Sequence, residues 1–438
     1  MADPSIYKRP SELLQHLIRF NTTNPPGNEL ACVQYINDLL QAAGIETTIL
    51  AKDDNRPNLI ARLPGSGTAP PLLMQGHVDV VTTAGQKWQH DPFAAELIDG
   101  MIWGRGALDM KGGVAMMVAA FLKMQMEGVT PPGDLILTVL SDEEASGGYG
   151  AKFLVDDHPE QFENVQFAIG EFGGFTMQLA GRTFYPIMVA EKQICGLKLT
   201  VQGPGGHGSS PIQGGAMAKL GNILTKLDKN RLPVHITPEA RAMYGAIAAN
   251  VGFPTSLILR LLLNPALTNQ MLGVMGPMRQ QFDALLRHTV SPTIVRGGYK
   301  NNVIPTEVSL ELDGRILPGY QPQHLIQELR QLLGDDFEIE VLFYDPGPPA
   351  PNMALFDTLA GILQRADPDG VPIPLIVPGV TDARHFARLG IQTYGFIPMQ
   401  LPPDFNFTAT IHAADERIPA AALDFGTAAI FELLSSFG

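Results

Sequence analysis

The chain has 438 residues, of which 45% are hydrophobic and 17% are charged. This composition supplies a sizeable buried core and excludes a disordered chain. The 44 acidic and 30 basic residues give a formal charge of −14. Because phosphate backbones are negative as well, nucleic acid is excluded as an expected partner.

The sequence also bears on location. The densest apolar run, Ser256–Leu263, is shorter than a membrane helix and contains Arg260. The first residues carry charges where a signal peptide needs an apolar stretch. Two cysteines, Cys32 and Cys195, exclude a disulfide framework and lack metal-type spacing. We therefore expect a cytoplasmic protein with no membrane partner.

Helices and strands alternate from the start of the chain. Ser11 is the expected cap of a first helix, Asn28 opens a second helix, and Gly44 ends it. The strand-like runs that follow are Ile45–Leu50, Asn58–Leu63, Leu72–Gln75, Leu135–Leu140 and Phe167–Ile169, with a helix at Val114–Met126. This order predicts an α/β fold with a mainly parallel sheet covered on both faces.

The pattern changes near residue 193. Gly196–Val201 and Glu307–Asp313 alternate like half-exposed strands, and Ala216–Leu227 and Pro322–Leu333 have helical spacing. We therefore expect a catalytic domain in two parts, 1–192 and 346–438, and a smaller α+β lid domain inserted at 193–345. Within the lid, 241–288 predicts additional helices rich in Leu and Met.

Several polar residues follow the predicted strands of the catalytic domain, where ligands bind in open parallel sheets. In chain order, the residues of this group are His77, Asp79, Asp109, Glu143, Glu144, Glu171 and His412. Each short motif alone is more typical of an ordinary hydrogen-bonded pair or a helix start. Their combination at one edge of one sheet indicates a metal site.

Two histidines and three carboxylates can hold two Zn²⁺ if one carboxylate bridges them, with Co²⁺ or Mn²⁺ as alternatives. The cations would relieve the repulsion between crowded carboxylates. Asp79 is placed to accept the second imidazole N–H of His77. The side chains of Glu143 and Glu144 should diverge, so that one binds metal and the other acts as general base.

Longer blocks of this sequence resemble one family. The blocks are GHVDVV (76–81), GRGALDMKGG (104–113), LSDEEASGGYGA (140–151), GGHGSSP (205–211), NNVIP (301–305), DGRILPG (313–319) and GVTDARHF (379–386). They resemble the co-catalytic zinc amide hydrolases that include aminoacylase, carboxypeptidase G, acetylornithine deacetylase and succinyl-diaminopimelate desuccinylase. The blocks follow the family's order over essentially the whole chain.

The resemblance implies a role for each matching residue. His77, Asp109, Glu144, Glu171 and His412 would be the metal ligands. Asp109 would bridge the two ions, with a cis peptide bond to Met110. Glu143 would be the general base, with Asp79 behind His77.

Further roles would fall to residues that bind substrate. His207 would polarise the scissile carbonyl, and in family dimers this histidine enters the partner's site. Asn302, Arg315, Gly379 and Thr381 would bind the substrate's carboxylate. The expected partners are a small molecule or short peptide and, through the lid, a second copy of the chain.

The expected activity is hydrolysis of an amide bond next to a free carboxylate, by metal-activated water with Glu143 as general base. Glu171 favours an acylase or carboxypeptidase, since by resemblance Asp accompanies aminopeptidases and dipeptidases, which remain the alternative. A non-catalytic binding protein is disfavoured because no ligand is lost. The long 241–288 segment departs from the compact family lid. One interpretation is that its apolar residues form the core of the lid or a dimer interface. The other is that they form an apolar wall for a long acyl chain or an apolar side chain.

Overall fold

The computed structural model describes residues 3–276, 279–347 and 350–438. These residues form two compact units. The first unit contains residues up to Val189, Pro351–Leu375 and Thr381–Gly438, and the second contains Ala190–Ala350 and Ile376–Val380. The chain therefore leaves the first unit twice, once for a long insertion and once for the short segment Ile376–Val380.

Strands and helices alternate along both units. The strands are β1 (Glu46–Ala51), β2 (Pro57–Leu63), β3 (Leu72–His77), β4 (Glu96–Ile98), β5 (Met101–Trp103), β6 (Leu135–Leu140), β7 (Phe167–Gly170), β8 (Met177–Leu179), β9 (Arg182–Glu191), β10 (Gln193–Gln202), β11 (Gly206–His207), β12 (Thr289–Gly297), β13 (Val303–Ile304), β14 (Glu307–Ile316), β15 (Glu338–Asp345), β16 (Val371–Val377), β17 (Gln392–Gly395) and β18 (Arg417–Pro419). The helices are α1 (Pro10–Arg19), α2 (Leu30–Ala42), α3 (Lys111–Met126), α4 (Ala151–Asp157), α5 (Ala216–Lys229), α6 (Pro238–Asn250), α7 (Thr255–Leu262), α8 (Thr268–Val274), α9 (Arg279–Ala284), α10 (Pro322–Leu333), α11 (Phe356–Ala366), α12 (Ala383–Ala387), α13 (Phe407–Thr410) and α14 (Ala420–Ser436).

The first unit is built on a mixed sheet with a parallel centre. Its strand order is β1-β2-β6-β3-β7-β17-β9-β16, with β8 paired to β9. β3 runs parallel to β6 and β7, and β7 runs parallel to β17. All six residues of β3 and all six of β6 are buried, as expected for strands covered on both faces. The predicted α/β class with a largely parallel sheet is confirmed.

Two helix starts differ from the sequence prediction. α1 begins at Pro10, and the Ser11 hydroxyl donates to the Ala420 carbonyl instead of capping. α2 begins at Leu30 rather than at Asn28, after the buried Glu29, whose carboxylate accepts from Arg56. In both places a contact distant in sequence replaces the local cap. Gly44 follows α2 with φ = +78°, the left-handed conformation that glycine adopts readily.

The second unit contains a four-stranded antiparallel sheet in the order β12-β14-β10-β15. α5 and α10 cover one face, where the buried core includes Leu197, Leu310 and Leu325. The predicted extra helices are α6–α9, which leave Phe253 82% and Val274 63% exposed. Among the described residues, none of the helices combines the length and apolar character needed to cross a bilayer.

Candidate metal centre

The parallel strands of the first unit bring the predicted polar residues to one place. His77 ends β3, Glu143 and Glu144 lie in a short 3₁₀ turn after β6, and Glu171 directly follows β7. The carboxyl ends of parallel strands share one edge of the sheet. Residues nearly a hundred positions apart are therefore neighbours, and the sequence reasoning found them for this reason.

Asp109 lies between the two histidines. Its Oδ1 is 3.2 Å from His77 Nε2, and its Oδ2 is 3.1 Å from His412 Nε2. Glu171 Oε2 lies 3.6 Å from His77 Nε2, whereas Glu144 Oε1 lies 3.2 Å from His412 Nε2. The two oxygens of Asp109 thus face two different imidazole–carboxylate pairs, which is the arrangement that a bridging carboxylate needs.

The loop that carries Asp109 is tightly held. The Asp109–Met110 peptide bond is cis, and α3 begins at the next residue. Gly112 is required there, because a Cβ atom at this position would lie 2.2 Å from the Ala107 carbonyl oxygen. The Asp109 side chain is consequently presented from a fixed backbone between a turn and a buried helix.

Glu143 and Glu144 diverge, as neighbouring residues were expected to do. Glu144 shares one group of possible ligand atoms with His77 and Asp109, in which all atoms lie within 4.8 Å of one another. Glu143 belongs to a second such group with His77 and Glu171. Glu144 therefore lies with Asp109 on one side of His77, and Glu143 lies with Glu171 on the other.

Asp79 contributes more than the sequence suggested. Its carboxylate accepts the backbone N–H groups of Glu143 and Glu144, both at 3.1 Å, and the side-chain amide of Asn24 at 2.8 Å. His77 Nδ1 lies 3.0 Å from the Asp79 carbonyl oxygen and 3.4 Å from its carboxylate. Asp79 therefore positions both the imidazole ring and the turn that carries the two glutamates.

Burial and crowding change the protonation of these groups. Burial raises the pKa of Glu171 to about 8, and burial together with the nearby Glu171 raises the pKa of Glu143 well above its usual value. Hydrogen bonds to Asp109 and Glu144 raise the pKa of His412 to about 10. Burial would lower the pKa of His77, but its carboxylate neighbours outweigh that effect and raise it.

A buried ion pair that the sequence reasoning missed joins the Asp109 loop to the His412 segment. Arg105 Nη1 lies 2.6 Å from Glu416 Oε2, and both side chains are at most 1% exposed. Glu416 Oε1 also accepts the backbone N–H groups of Leu108 and Asp109, at 2.8 and 3.1 Å. Arg105 donates to the His412 carbonyl oxygen at 3.3 Å. The Arg105–Glu416 pair therefore connects the backbone of the Asp109 loop to the backbone of the His412 segment.

The sequence analysis assigned no role to two other buried acidic residues near the site. Asp142, at φ = +69°, accepts from Asn24 and pairs with Arg56. Asp382, from the GVTDARHF block, is 1% exposed, and neither of its carboxylate oxygens has a hydrogen-bond partner. Burial raises the pKa of Asp382 to about 7. The contacts of Asp142 join residues that are far apart in sequence, so no local spacing indicates them.

The remaining predicted residues divide between the two units. Thr381 is buried in the first unit, where its hydroxyl accepts the N–H of Ala383 at 3.1 Å. His207, Asn302, Arg315 and Gly379 belong to the second unit. There Gly208 N–H donates to the Asn302 carbonyl at 2.8 Å, which places His207 and Asn302 on neighbouring strand segments.

The side chains of His207 and Arg315 have defined partners in the second unit. The Ser209 N–H donates to His207 Nδ1 at 3.2 Å, and the Ser209 hydroxyl oxygen lies 2.7 Å from the same nitrogen. Arg315 donates to both carboxylate oxygens of Asp313, at 2.7 and 3.0 Å. His207 and Arg315 therefore each have a hydrogen-bond partner within the second unit.

Another cluster of possible ligands, His235, His288 and Glu328, lies in the second unit. The Leu317 N–H donates to His288 Nδ1 at 3.1 Å, so the proton of the neutral His288 ring is on Nε2, the atom that would have to bind a cation. His235 Nε2 lies 2.5 Å from Glu328 Oε1. We therefore interpret this cluster as a hydrogen-bonded polar core.

The first-unit centre does fit metal ions. Imidazole and carboxylate donors suit zinc, cobalt and manganese. Four buried or partly buried carboxylates (those of Asp109, Glu143, Glu144 and Glu171) share one small volume with two imidazoles. Cations are the ligands that such a set of groups would bind most favourably.

Comparisons with known proteins agree with this geometry. A model of the peptidase family M20/M25/M40 matches residues 73–436. The chain is 28% identical over 382 residues to the N-fatty-acyl-amino acid synthase/hydrolase PM20D1 of Homo sapiens, covering 84% of this chain and 74% of that protein. It is 24% identical over 447 residues to aminoacylase-1 of Sus scrofa, covering 97% and 94%.

A solved structure shows the same fold. It is the YXEP protein of Bacillus subtilis, described as a dinuclear metal-binding peptidase of the M20 family. The TM-score is 0.62 with 15% sequence identity, and the match covers 99% of this chain and 98% of the other. At this identity the comparison supports the fold alone.

Proposed function

Because the chain belongs to the peptidase family M20/M25/M40 and is a metal-dependent amide hydrolase, we propose that it cleaves an amide bond adjacent to a free carboxylate. The substrates are N-acyl amino acids, or small peptides cleaved at their C-terminal residue. The observation that carries this proposal is Asp109, whose two oxygens face two separate imidazole–carboxylate pairs.

In this proposal two Zn²⁺ ions are held by His77, Asp109, Glu144, Glu171 and His412, with Asp109 shared. When bound, the two ions lower the pKa of a water molecule and polarise the scissile carbonyl. The divergence of Glu144 and Glu143 supports the assignment of one as ligand and the other as base. The buried pair Arg105–Glu416 keeps Asp109 and the His412 segment at their separation.

Glu143 is the proton carrier. Its carboxylate accepts a proton from the attacking water, and the water oxygen bonds to the carbonyl carbon. Glu143 then donates that proton to the amide nitrogen as the C–N bond breaks, which yields a carboxylate and a free amine. Asp79 supports this role by holding the Glu143 N–H at 3.1 Å.

The second unit carries most of the residues to which this proposal gives substrate-binding roles. His207 donates from Nε2 to the developing oxyanion, and the Ser209 contact at Nδ1 supports that tautomer. Asn302, Arg315, Gly379 and Thr381 bind the substrate's carboxylate. A homodimer through this unit stays a prediction that the molecular mass in solution decides. A reducing cytoplasmic location also stays a prediction; the two cysteines are free and buried.

Arg315→Ala is expected to raise KM for N-acyl amino acids by about tenfold or more, because one charged hydrogen bond contributes about 1.5–3 kcal/mol. kcat should change little, since the carboxylate is bound equally in the ground and transition states. Steady-state kinetics on an N-acyl amino acid and its carboxamide analogue measure this. The control is Arg296→Ala, an exposed arginine of β12 paired with Glu311. An unchanged KM would remove Arg315 from the subsite.

The reaction class is tested by a hydrolysis screen with and without chelator. The substrates are N-acetyl, N-octanoyl and N-palmitoyl amino acids, a dipeptide and an amino-acid amide. We expect cleavage of the N-acyl amino acids, and the relatives described as N-fatty-acyl-amino acid hydrolases support the inclusion of long chains. Preferential cleavage of the amino-acid amide would instead support an aminopeptidase and overturn the proposal.

A further inference from the structure

A narrow aromatic pocket adjoins the metal centre within the first unit. The residues that line it include two acidic residues, Asp109 and Glu171, and the apolar residues Phe172, Phe175, Met399 and Phe407. The space open to a water-sized molecule is only about 10 Å³, which is what a single water needs. The pocket thus combines two carboxylates with apolar and aromatic side chains, and it has almost no free volume.

Two walls of this pocket are fixed by backbone contacts. The Ile397 N–H donates to the Gly173 carbonyl at 2.7 Å, and the Met399 N–H donates to the Gly174 carbonyl at 3.2 Å. A Cβ atom on Gly173 would lie 2.2 Å from the Gly395 carbonyl oxygen, so only glycine permits this close approach. These walls cannot move apart without breaking those two hydrogen bonds.

Phe172 occupies a backbone conformation that a bulky residue rarely adopts. Its φ is +70°, and it directly follows Glu171. Such left-handed conformations persist only when the surrounding structure compensates for them, and they concentrate at functional sites. Here the conformation places an aromatic ring beside a proposed metal ligand.

Phe407 lines the pocket and packs against two of its other rings. Its ring stacks on Phe175 with centroids 4.0 Å apart and meets the ring of Phe172 edge-on at 6.0 Å. It belongs to the single-turn helix α13, whose start is held by the Asn406 side chain, and it is only half-buried. A rotation of this one side chain would open the space without disturbing the two fixed walls.

We propose that this pocket is the subsite for the apolar acyl chain, with Phe407 as the side chain that sets how long a chain it accepts. This inference rests on the proposed function, and it places the acyl specificity in the first unit rather than in the helical segment 241–288. The substrate group that enters must leave its carbonyl at the metal centre. Asp109 and Glu171 line the pocket together with aromatic rings, so a group in the pocket would adjoin the metal centre.

Charge decides which end of the substrate enters. No residue that lines the pocket carries a positive charge, so a substrate carboxylate buried among its aromatic rings would have no cationic side chain to pair with. The side chain of the released amino acid is attached one bond away from that carboxylate. The acyl chain carries no charge, so it is the end that an aromatic pocket at this position would bind.

The test measures kcat/KM for one amino acid bearing acetyl, butyryl, octanoyl and palmitoyl groups. Phe407→Ala should raise the octanoyl-to-acetyl ratio by about tenfold or more, because single methylene contacts in apolar pockets have effects of that size. Phe407→Trp should lower the same ratio. A parallel series fixes the acyl group and varies the amino-acid side chain.

Two matched variants serve as controls. Phe405→Ala removes a neighbouring ring that contacts Arg417 rather than the pocket, and Leu257→Ser removes an exposed apolar side chain of α7. Neither should change the acyl-length profile. The bound-metal content of each variant shows that it is folded.

An octanoyl-to-acetyl ratio of kcat/KM that stays within twofold of the wild-type ratio in both Phe407 variants would overturn the inference. The inference would also be overturned if the Phe407 variants changed only the preference for the amino-acid side chain. A changed acyl-length profile in Leu257→Ser would overturn it as well. If the wild-type protein cleaves none of the N-acyl substrates, the proposed function itself fails. Cleavage with an unaffected profile refutes only the pocket assignment.

Discussion

Glu143→Gln is expected to lower kcat by at least about a thousandfold while the protein keeps both metal ions. The amide has nearly the same shape as the carboxylate but cannot accept a proton from water, and general-base catalysis contributes up to about 10⁴-fold. The Glu143 N–H remains available to Asp79, so the turn that carries Glu144 should be unchanged. Single-turnover kinetics and metal analysis of the same sample measure the two effects.

The control for this variant is Glu127→Gln, at the exposed end of α3. It should retain wild-type kcat. A Glu143→Gln protein within tenfold of wild type would contradict the role of Glu143 as base. Loss of one ion from that variant would instead assign Glu143 to metal binding, since it shares a group of possible ligand atoms with His77 and Glu171.

Metal loading of the chelator-stripped protein is expected to release protons and to become tighter as pH rises. At pH 7, His412 with a pKa of about 10 and Glu171 with a pKa of about 8 hold protons that a metal must displace. Because both pKa values are raised, the competition is greatest below pH 8 and declines as pH rises through these values. The apparent Kd should fall by about tenfold per pH unit for each proton released.

Calorimetric titration in two buffers with different heats of ionisation counts these protons. We expect at least two protons released at pH 7 on filling the centre, and fewer in His412→Ala. His16→Ala, which changes an exposed histidine of α1, should match the wild type. A metal affinity that is independent of pH between 6 and 8 would contradict the assignment of these groups as ligands. Activity should disappear with the metal and return on reloading.

The core of the fold was predictable because its strands are short apolar runs with polar residues at their ends. Leu135–Leu140 has the same bounds in the structure as in the sequence prediction, and β3 extends the predicted strand to His77. In a parallel sheet, that local signal also determines where the strand ends meet. The polar residues after β3, β6 and β7 could therefore be grouped from the amino-acid sequence alone.

Contacts between distant segments were not predictable in this way. Arg105 and Glu416 are 311 positions apart and meet in a buried pair, and neither residue type has a spacing that indicates a partner. The same holds for Asn24, which connects Asp79 with Asp142. The predicted start of the first helix was wrong for a related reason, since the Ser11 hydroxyl donates to the Ala420 carbonyl and does not cap its own helix.

The aromatic pocket also lacked a sequence signal. Phe172, Phe175 and Phe407 have the pattern of ordinary core residues, and the sequence directed attention to the apolar segment 241–288 instead. Only the positive φ of Phe172 and the stacking of Phe407 on Phe175 place these rings beside the metal centre. The proposed acyl subsite therefore depends on geometry that periodicity does not encode.

Metal stoichiometry tests the central claim most directly. Protein loaded with Zn²⁺, freed of excess metal and measured by mass spectrometry should contain two ions per chain, and His412→Ala should contain about one. Two ions in the wild type and a selective loss in the variant would support a dinuclear centre that shares Asp109. A wild-type protein that retains no metal, or a His412→Ala variant that still binds two ions, would contradict it.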